Sequence, residues 1–175
     1  MSAIEPVPLI DVIVESARWK ADAEDAVRRA LTEAAIAIGA NFKDRALAVL
    51  LTDDASMRRL NAQWRGVDKP TNVLSFPPAS GPGQQVGAVK SLGDIAIAYE
   101  TTAREAAEEE KPFADRVSHL AVHGFLHLLG YDHDSETAAA MMEQLERVIL
   151  ARLGVPDPYL THEKVAPHDL QEIRS

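Results

Sequence analysis

The sequence predicts an α+β fold, a small mixed β-sheet covered by helices and organised around one buried central helix. Two observations carry this. The order of elements runs strand, helix, strand, helix, strand, strand and then helices, which is the pattern of a sheet with helices laid over it. The stretch from about Pro112 to Leu129 is apolar almost all round, through Phe113, Val117, Leu120, Ala121, Val122, Phe125, Leu126, Leu128 and Leu129, so it belongs inside.

Leu9–Glu15 is rich in β-branched residues and alternates in part, as a strand does. Asp22 is the expected cap of a helix to Ile38, with Val27, Leu31, Ala34, Ala35 and Ile38 on one stripe and Gly39 as its stop. Ala46–Leu51 is an apolar run of strand length. Asp53 or Asp54 then caps a helix whose expected buried stripe is Met57, Leu60 and Trp64. A turn-rich loop, Arg65–Asn72, leads to a strand at Val73–Phe76 that Pro77-Pro78 cut short. Residues 77–90 hold three Pro and three Gly and are expected to form a mobile surface loop. Leu92–Ala98 is the next strand, and an acidic helix over 99–110 stops before Pro112. Ser135 or Asp134 caps a last helix to Leu153, with Met141, Met142, Leu145, Val148 and Ile149 inward. The domain is expected over 1–155, with 156–175 a polar, poorly ordered tail.

Length and composition limit the function classes. At 175 residues the chain suits one domain with a sizeable core. No Cys is present, which excludes a disulfide framework, Cys-ligated zinc and thiol catalysis. There is no signal-peptide pattern and no apolar run of membrane-spanning length, so a cytoplasmic protein with no membrane partner is expected. The net charge of −9 argues against a protein that coats nucleic acid non-specifically. Residues 41–90 differ: seven Lys and Arg stand against four Asp, a local +3, and any anion-binding face should come from there.

The chemistry concentrates in His123-Gly-Phe-Leu-His127-Leu-Leu-Gly130-Tyr-Asp-His133. Histidines at i and i+4 of a helix point the same way, one turn apart. Gly130 can end that helix in a left-handed turn and return His133 towards the pair. Three imidazoles with one position left open are the layout of a catalytic metal rather than a structural zinc, which four protein ligands usually close. The spacing HxxxHxxGxxH is metzincin-like except that Gly124 stands where a peptidase carries its general base Glu, which disfavours a standard zinc-peptidase mechanism. That leaves as options the metal acting alone on water, a carboxylate from elsewhere, or a group on the substrate. A lone histidine on such a helix is more often a core or surface residue, but this triple spacing is hard to reach by chance.

His119 extends the same face, but its Cα lies about 12 Å from that of His127 at 1.5 Å per residue, too far to share one ion comfortably. It is expected to support the ligands or to be a packed polar residue. Asp132 and Asp134 flank His133, and one of them can hold a ligating imidazole in its tautomer, although a turn or cap aspartate is the commoner use. Asp94, inside an apolar strand, is a further supporting candidate unless it simply faces outward. Met141 or Met142 could lie beneath the metal, though core packing is the more usual role of such a residue. Arg65, near Arg58, Arg59 and Lys69 on the Gly/Pro-shaped loop, can engage phosphate bidentately, or can be a solvated cation at a helix end.

These residues, with Asn61, Arg65-Gly66, Asp68 and Pro70–Pro77 upstream and Gly93-Asp94-Ile95 between, resemble the YbeY family of bacterial endoribonucleases over about residues 45–153. The resemblance implies a single-strand-specific, metal-dependent endoribonuclease acting in 16S rRNA 3′-end maturation and ribosome quality control. It implies one Zn2+ per chain on His123, His127 and His133, with Arg65 on the substrate, and it implies single-stranded ribosomal RNA and the ribosome or small-subunit assembly proteins as partners. Two alternatives stand beside it: a zinc-containing assembly factor without catalysis, and another zinc hydrolase such as a peptidase.

Overall fold

The computed structural model describes residues 6–78, 85–86 and 89–160. Their elements are β1 (Leu9–Val14), α1 (Ala21–Ile38), β2 (Arg45–Thr52), α2 (Asp54–Arg65), β3 (Val73–Phe76), β4 (Gln85–Val86), β5 (Val89–Ala98), α3 (Tyr99–Glu108), α4 (Phe113–Leu128) and α5 (Glu136–Arg152). The sheet is mixed, as expected, in the order β1-β2-β5-β3 with β4 also paired to β5. β1, β2 and β5 are parallel, while β3 and β4 run antiparallel to β5.

Alternation of side chains across the strands sorts the core into two layers. Leu47, Val49, Leu51, Ile95 and Ile97 face α1, α4 and α5, where they meet Val27, Leu31, Val117, Ala121, Phe125 and Ile149. The other face is thinner: Leu74, Ala96 and Ala98 pack under Met57 of α2, with Leu50, Leu60 and Phe76 at its margin. α4 is the central helix, buried along Val117, Leu120, Ala121, Val122, Phe125 and Leu126.

Gly124 explains how closely α4 approaches the sheet. A Cβ at this position would lie 2.9 Å from Ile95 Cγ2 and 3.1 Å from Ser75 Oγ, whose hydroxyl donates to the Gly124 carbonyl at 2.9 Å. In an open helix, Gly→Ala stabilises by about 1 kcal/mol, but here Ile95 is fully buried and cannot give way, and overpacking costs about 1–3 kcal/mol. Gly124→Ala should therefore gain nothing and lower unfolding stability by up to about 2 kcal/mol, read from the denaturation midpoint. A variant more stable than the parent would contradict this packing.

Several expectations change. Lys20, not Asp22, is the N-cap of α1, and Asp22 sits in the first turn, its carboxylate accepting the Ala23 N–H at 3.0 Å. Asp53 and Ser135 do cap α2 and α5 through the backbone N–H groups of Ser56 and Ala138. The expected loop 77–90 contains strand: β4 pairs back on an earlier start of β5, while residues 79–84 and 87–88 lie outside the described residues. Trp64 is 63% exposed because the last turn of α2 reaches past the Met57 cluster on β5, where the indole meets only one side of Phe76 on the edge strand β3. The inward face of α5 is Met142, Glu146, Ile149 and Leu150, whereas Met141 and Val148 are exposed. At the start of the expected tail, Arg147 holds Asp157 at 3.1 Å and Pro158 is buried; residues 161–175 lie outside the described residues.

Candidate metal centre

α4 presents its only open stripe through His119, His123 and His127, where neither the sheet nor α1 covers it. The helix ends at Leu128, and Gly130, at φ +99°, turns the chain back. Its N–H donates to the His127 carbonyl at 3.0 Å, and the Tyr131 N–H donates to that of Leu126 at 3.0 Å, closing the helix end. Two residues on, Asp132 accepts the backbone N–H of His133 at 2.7 Å and fixes the bend that brings this third imidazole home.

The three rings converge. His133 stacks on His123 with centroids 5.3 Å apart, and His127 stands almost perpendicular to both, at 4.6 Å from His123 and 4.8 Å from His133. One nitrogen from each of His123, His127 and His133 lies within 4.8 Å of the other two. The Nε2 atoms of His123 and His127 face each other at 3.2 Å. Burial lowers the His127 pKa first, and the charges of His123 and His133 lower it further, so its imidazole stays neutral with a lone pair to offer. Three imidazole nitrogens around one open point are a donor set for a borderline transition metal. These residues fit a metal ion.

Behind them lies a group that the sequence reading missed. Glu146 of α5 is 1% exposed, yet it is ionisable. Its Oε2 is 3.3 Å from His123 Nδ1, and its Oε1 is 2.6 Å from His119 Nε2 and accepts the Tyr159 hydroxyl at 3.0 Å. Burial alone would raise its pKa, but the hydrogen bonds and charges of His119 and His123 outweigh that and hold it well below the usual carboxylate range. Tyr159 is pushed the other way, by burial and then by Glu146, and keeps its proton to donate. A carboxylate facing His123 Nδ1 keeps a proton on that nitrogen and leaves Nε2 bare for the metal point. One signal was available: Glu146 interrupts the apolar series Met142, Ile149 and Leu150. Tyr159, in a Pro-rich stretch with no periodicity, offered none.

The remaining candidates separate by position. His119 lies outside the converging nitrogens and faces Glu146, with Arg116 Nη1 3.4 Å from its other nitrogen. Asp132 lines the histidine depression, where its backbone contact holds its pKa down. Asp94 does not join them. It alternates with Gly93 and Ile95, which face α4, and therefore sits on the opposite side of the sheet in register with Phe76, where partial burial raises its pKa. Neither methionine lines the depression: Met142 is core and Met141 is exposed.

Arg65, the last residue of α2, does line it, together with the three histidines, in a concavity of about 530 Å³. Two of its basic neighbours are engaged elsewhere. Arg58 makes two bonds to Asp68, at 2.7 and 3.0 Å, and Arg59 bonds Ser56 Oγ at 2.9 Å. Among the described residues no carboxylate pairs with Arg65.

Known proteins share this chain at every level compared. The family model described as Endoribonuclease YbeY matches residues 10–154. A protein named "Endoribonuclease YbeY" from Bradyrhizobium sp. strain BTAi1 is 55% identical over 164 residues, covering 91% of this chain and 97% of that protein. One of the same name from Rhodopseudomonas palustris strain CGA009 is 55% identical over 161 residues, 91% of this chain and 85% of the relative. The solution structure of TM1509 from Thermotoga maritima superposes with a TM-score of 0.53 at 22% identity, covering 91% of this chain and 98% of that one, which shows a shared fold. With the match running from β1 to the end of α5, and with identity this high along nine-tenths of the chain, the protein belongs to the YbeY family.

Proposed function

We propose that this chain is a single-strand-specific, metal-dependent endoribonuclease acting in 16S rRNA 3′-end maturation and ribosome quality control. It works as one hydrolase domain over residues 1–155, in the cytoplasm, with rRNA as substrate and the ribosome or small-subunit assembly proteins as partners. His123, His127 and His133 hold one Zn2+ per chain, and Arg65 holds the substrate phosphate. One observation carries this reading: three convergent imidazoles line the same depression as Arg65, which pairs with no carboxylate among the described residues, so a cation site and a phosphate site would share one floor. The names of the relatives support RNA as the substrate.

The residues divide the work. A divalent ion at the three imidazoles would supply a Lewis acid at the scissile phosphate or at attacking water. The Arg65 guanidinium can form two parallel bonds to phosphate oxygens and oppose the charge that builds there. Glu146 sets the His123 tautomer, and Asp132 fixes the turn carrying His133. Gly124 speaks against the peptidase alternative twice, because it carries no carboxylate and a Cβ there would already lie 2.9 Å from Ile95 Cγ2 and 3.1 Å from Ser75 Oγ. No helix among the described residues is long and apolar enough to cross a membrane.

Incubation with one RNA in single-stranded and duplex form tests the assignment. The single strand should be cut and the duplex spared, with cutting stopped by a chelator. Equal cutting of both would contradict it. The ends of the products report the nucleophile, a 2′,3′-cyclic phosphate for the 2′-OH and a 5′-phosphate for water.

Glu146 supplies a second test. A glutamine there keeps the shape but offers only one acceptor oxygen to two histidines. Glu146→Gln should weaken metal binding about 10–100-fold, measured by competition with a chromophoric chelator. Unchanged affinity would remove its role behind His123.

A further inference from the structure

Trp64 is the only Trp or Phe left exposed among the described residues, at 63%. It precedes Arg65, and consecutive helical residues diverge by about 100° at 3.6 per turn. The pair therefore straddles the edge strand β3. Arg65 reaches the histidine depression, while Trp64 rests against Phe76, with ring centroids 5.4 Å apart and planes at 61°. Phe76 in turn precedes Pro77, which lines the same depression. An aromatic ring is thus held by a second ring at the rim of the phosphate site, in the one stretch of the chain that carries net positive charge.

Isolated exposed hydrophobic residues are ordinary. This one is braced and set beside Arg65, which pairs with no carboxylate among the described residues, and that combination is how single-stranded nucleic acid is gripped: a cation follows the backbone while an aromatic face takes a base. We infer that Trp64, supported by Phe76, stacks an unpaired nucleobase of the RNA whose neighbouring phosphate is held by Arg65. The inference rests on the endoribonuclease reading and deepens it. A base inside a duplex has both faces covered and cannot meet the indole, so the subsite favours single strands at the binding step. Because every base has a π-face, it adds little sequence preference.

Steady-state cleavage of a short single-stranded RNA by the metal-loaded full chain tests this, using Trp64→Ala, Trp64→Phe and substrates with one abasic nucleotide walked across the site. Trp64→Ala should raise KM about tenfold with little change in kcat, and Trp64→Phe should stay within about threefold of the parent. One abasic position should cost the parent enzyme a similar factor and cost Trp64→Ala almost nothing, a coupling that a structural role for the side chain would not produce. Because the ring is mostly exposed, the Ala variant should melt with the parent. An unchanged KM in Trp64→Ala, or an abasic penalty as large in the variant as in the parent, overturns the subsite while leaving the nuclease intact. A parent enzyme that cuts no single strand overturns both.

Discussion

His127→Ala should purify without stoichiometric metal and should lose RNA cleavage, while its circular dichroism stays that of the parent. His127 is the ring that stands across the other two, and its Nε2 faces that of His123 at 3.2 Å. Removing it leaves two stacked imidazoles, a donor set too small to hold an ion against water. The loss should exceed the about 10–100-fold expected when only an outer partner such as Glu146 is changed. His119→Ala is the control from the same helix stripe. It loses a bond to Glu146 but no converging nitrogen, so metal binding should weaken by no more than about tenfold. Atomic absorption on the purified variants, with a cleavage assay on the same samples, reads both. Equal metal in His127→Ala and the parent would mean that the ion sits elsewhere.

Arg65→Glu should reduce cleavage about 10²–10³-fold with metal content unchanged, the scale seen when one preorganised donor to a developing charge is removed. The competing role for Arg65 is a solvated cation at the C-terminus of α2. Such a cation is worth about 0.3–1 kcal/mol to the helix, so that role would appear as a modest drop in melting temperature and nothing more. Arg65→Lys separates charge from geometry. It keeps the positive charge but loses the fork that holds two phosphate oxygens, and should recover only part of the rate. A folded, metal-loaded Arg65→Glu protein with full activity would remove Arg65 from the site.

The convergence of His123, His127 and His133 was legible in the sequence because its information is local. His123 and His127 are placed by helical periodicity, and His133 by a glycine whose positive φ is itself a sequence signal. The caps Asp53 and Ser135 were local in the same sense, since each needs only its own side chain and an N–H three residues on. What escaped was long-range. The series Ala138-Ala-Ala-Met-Met142 allows two phases for α5, and the chosen phase turns Glu146 inward to meet His119 and His123, 27 and 23 residues earlier. Asp94 sat in a strand correctly read, but which face of β5 meets α4 depends on register with β2 and β3. Trp64 lay on the apolar stripe of α2, and periodicity cannot report that the last turn reaches past the Met57 cluster.

The central claim is that one metal ion on His123, His127 and His133 is required for cutting single-stranded RNA. Titration of zinc into chelator-stripped protein, with the cleavage rate followed on a single-stranded substrate, tests it most directly. The rate should start near zero, rise linearly and stop rising at one ion per chain, and the His127→Ala protein should show no rise. A stripped protein that cuts at full rate would contradict the claim, as would a His127→Ala protein that zinc restores.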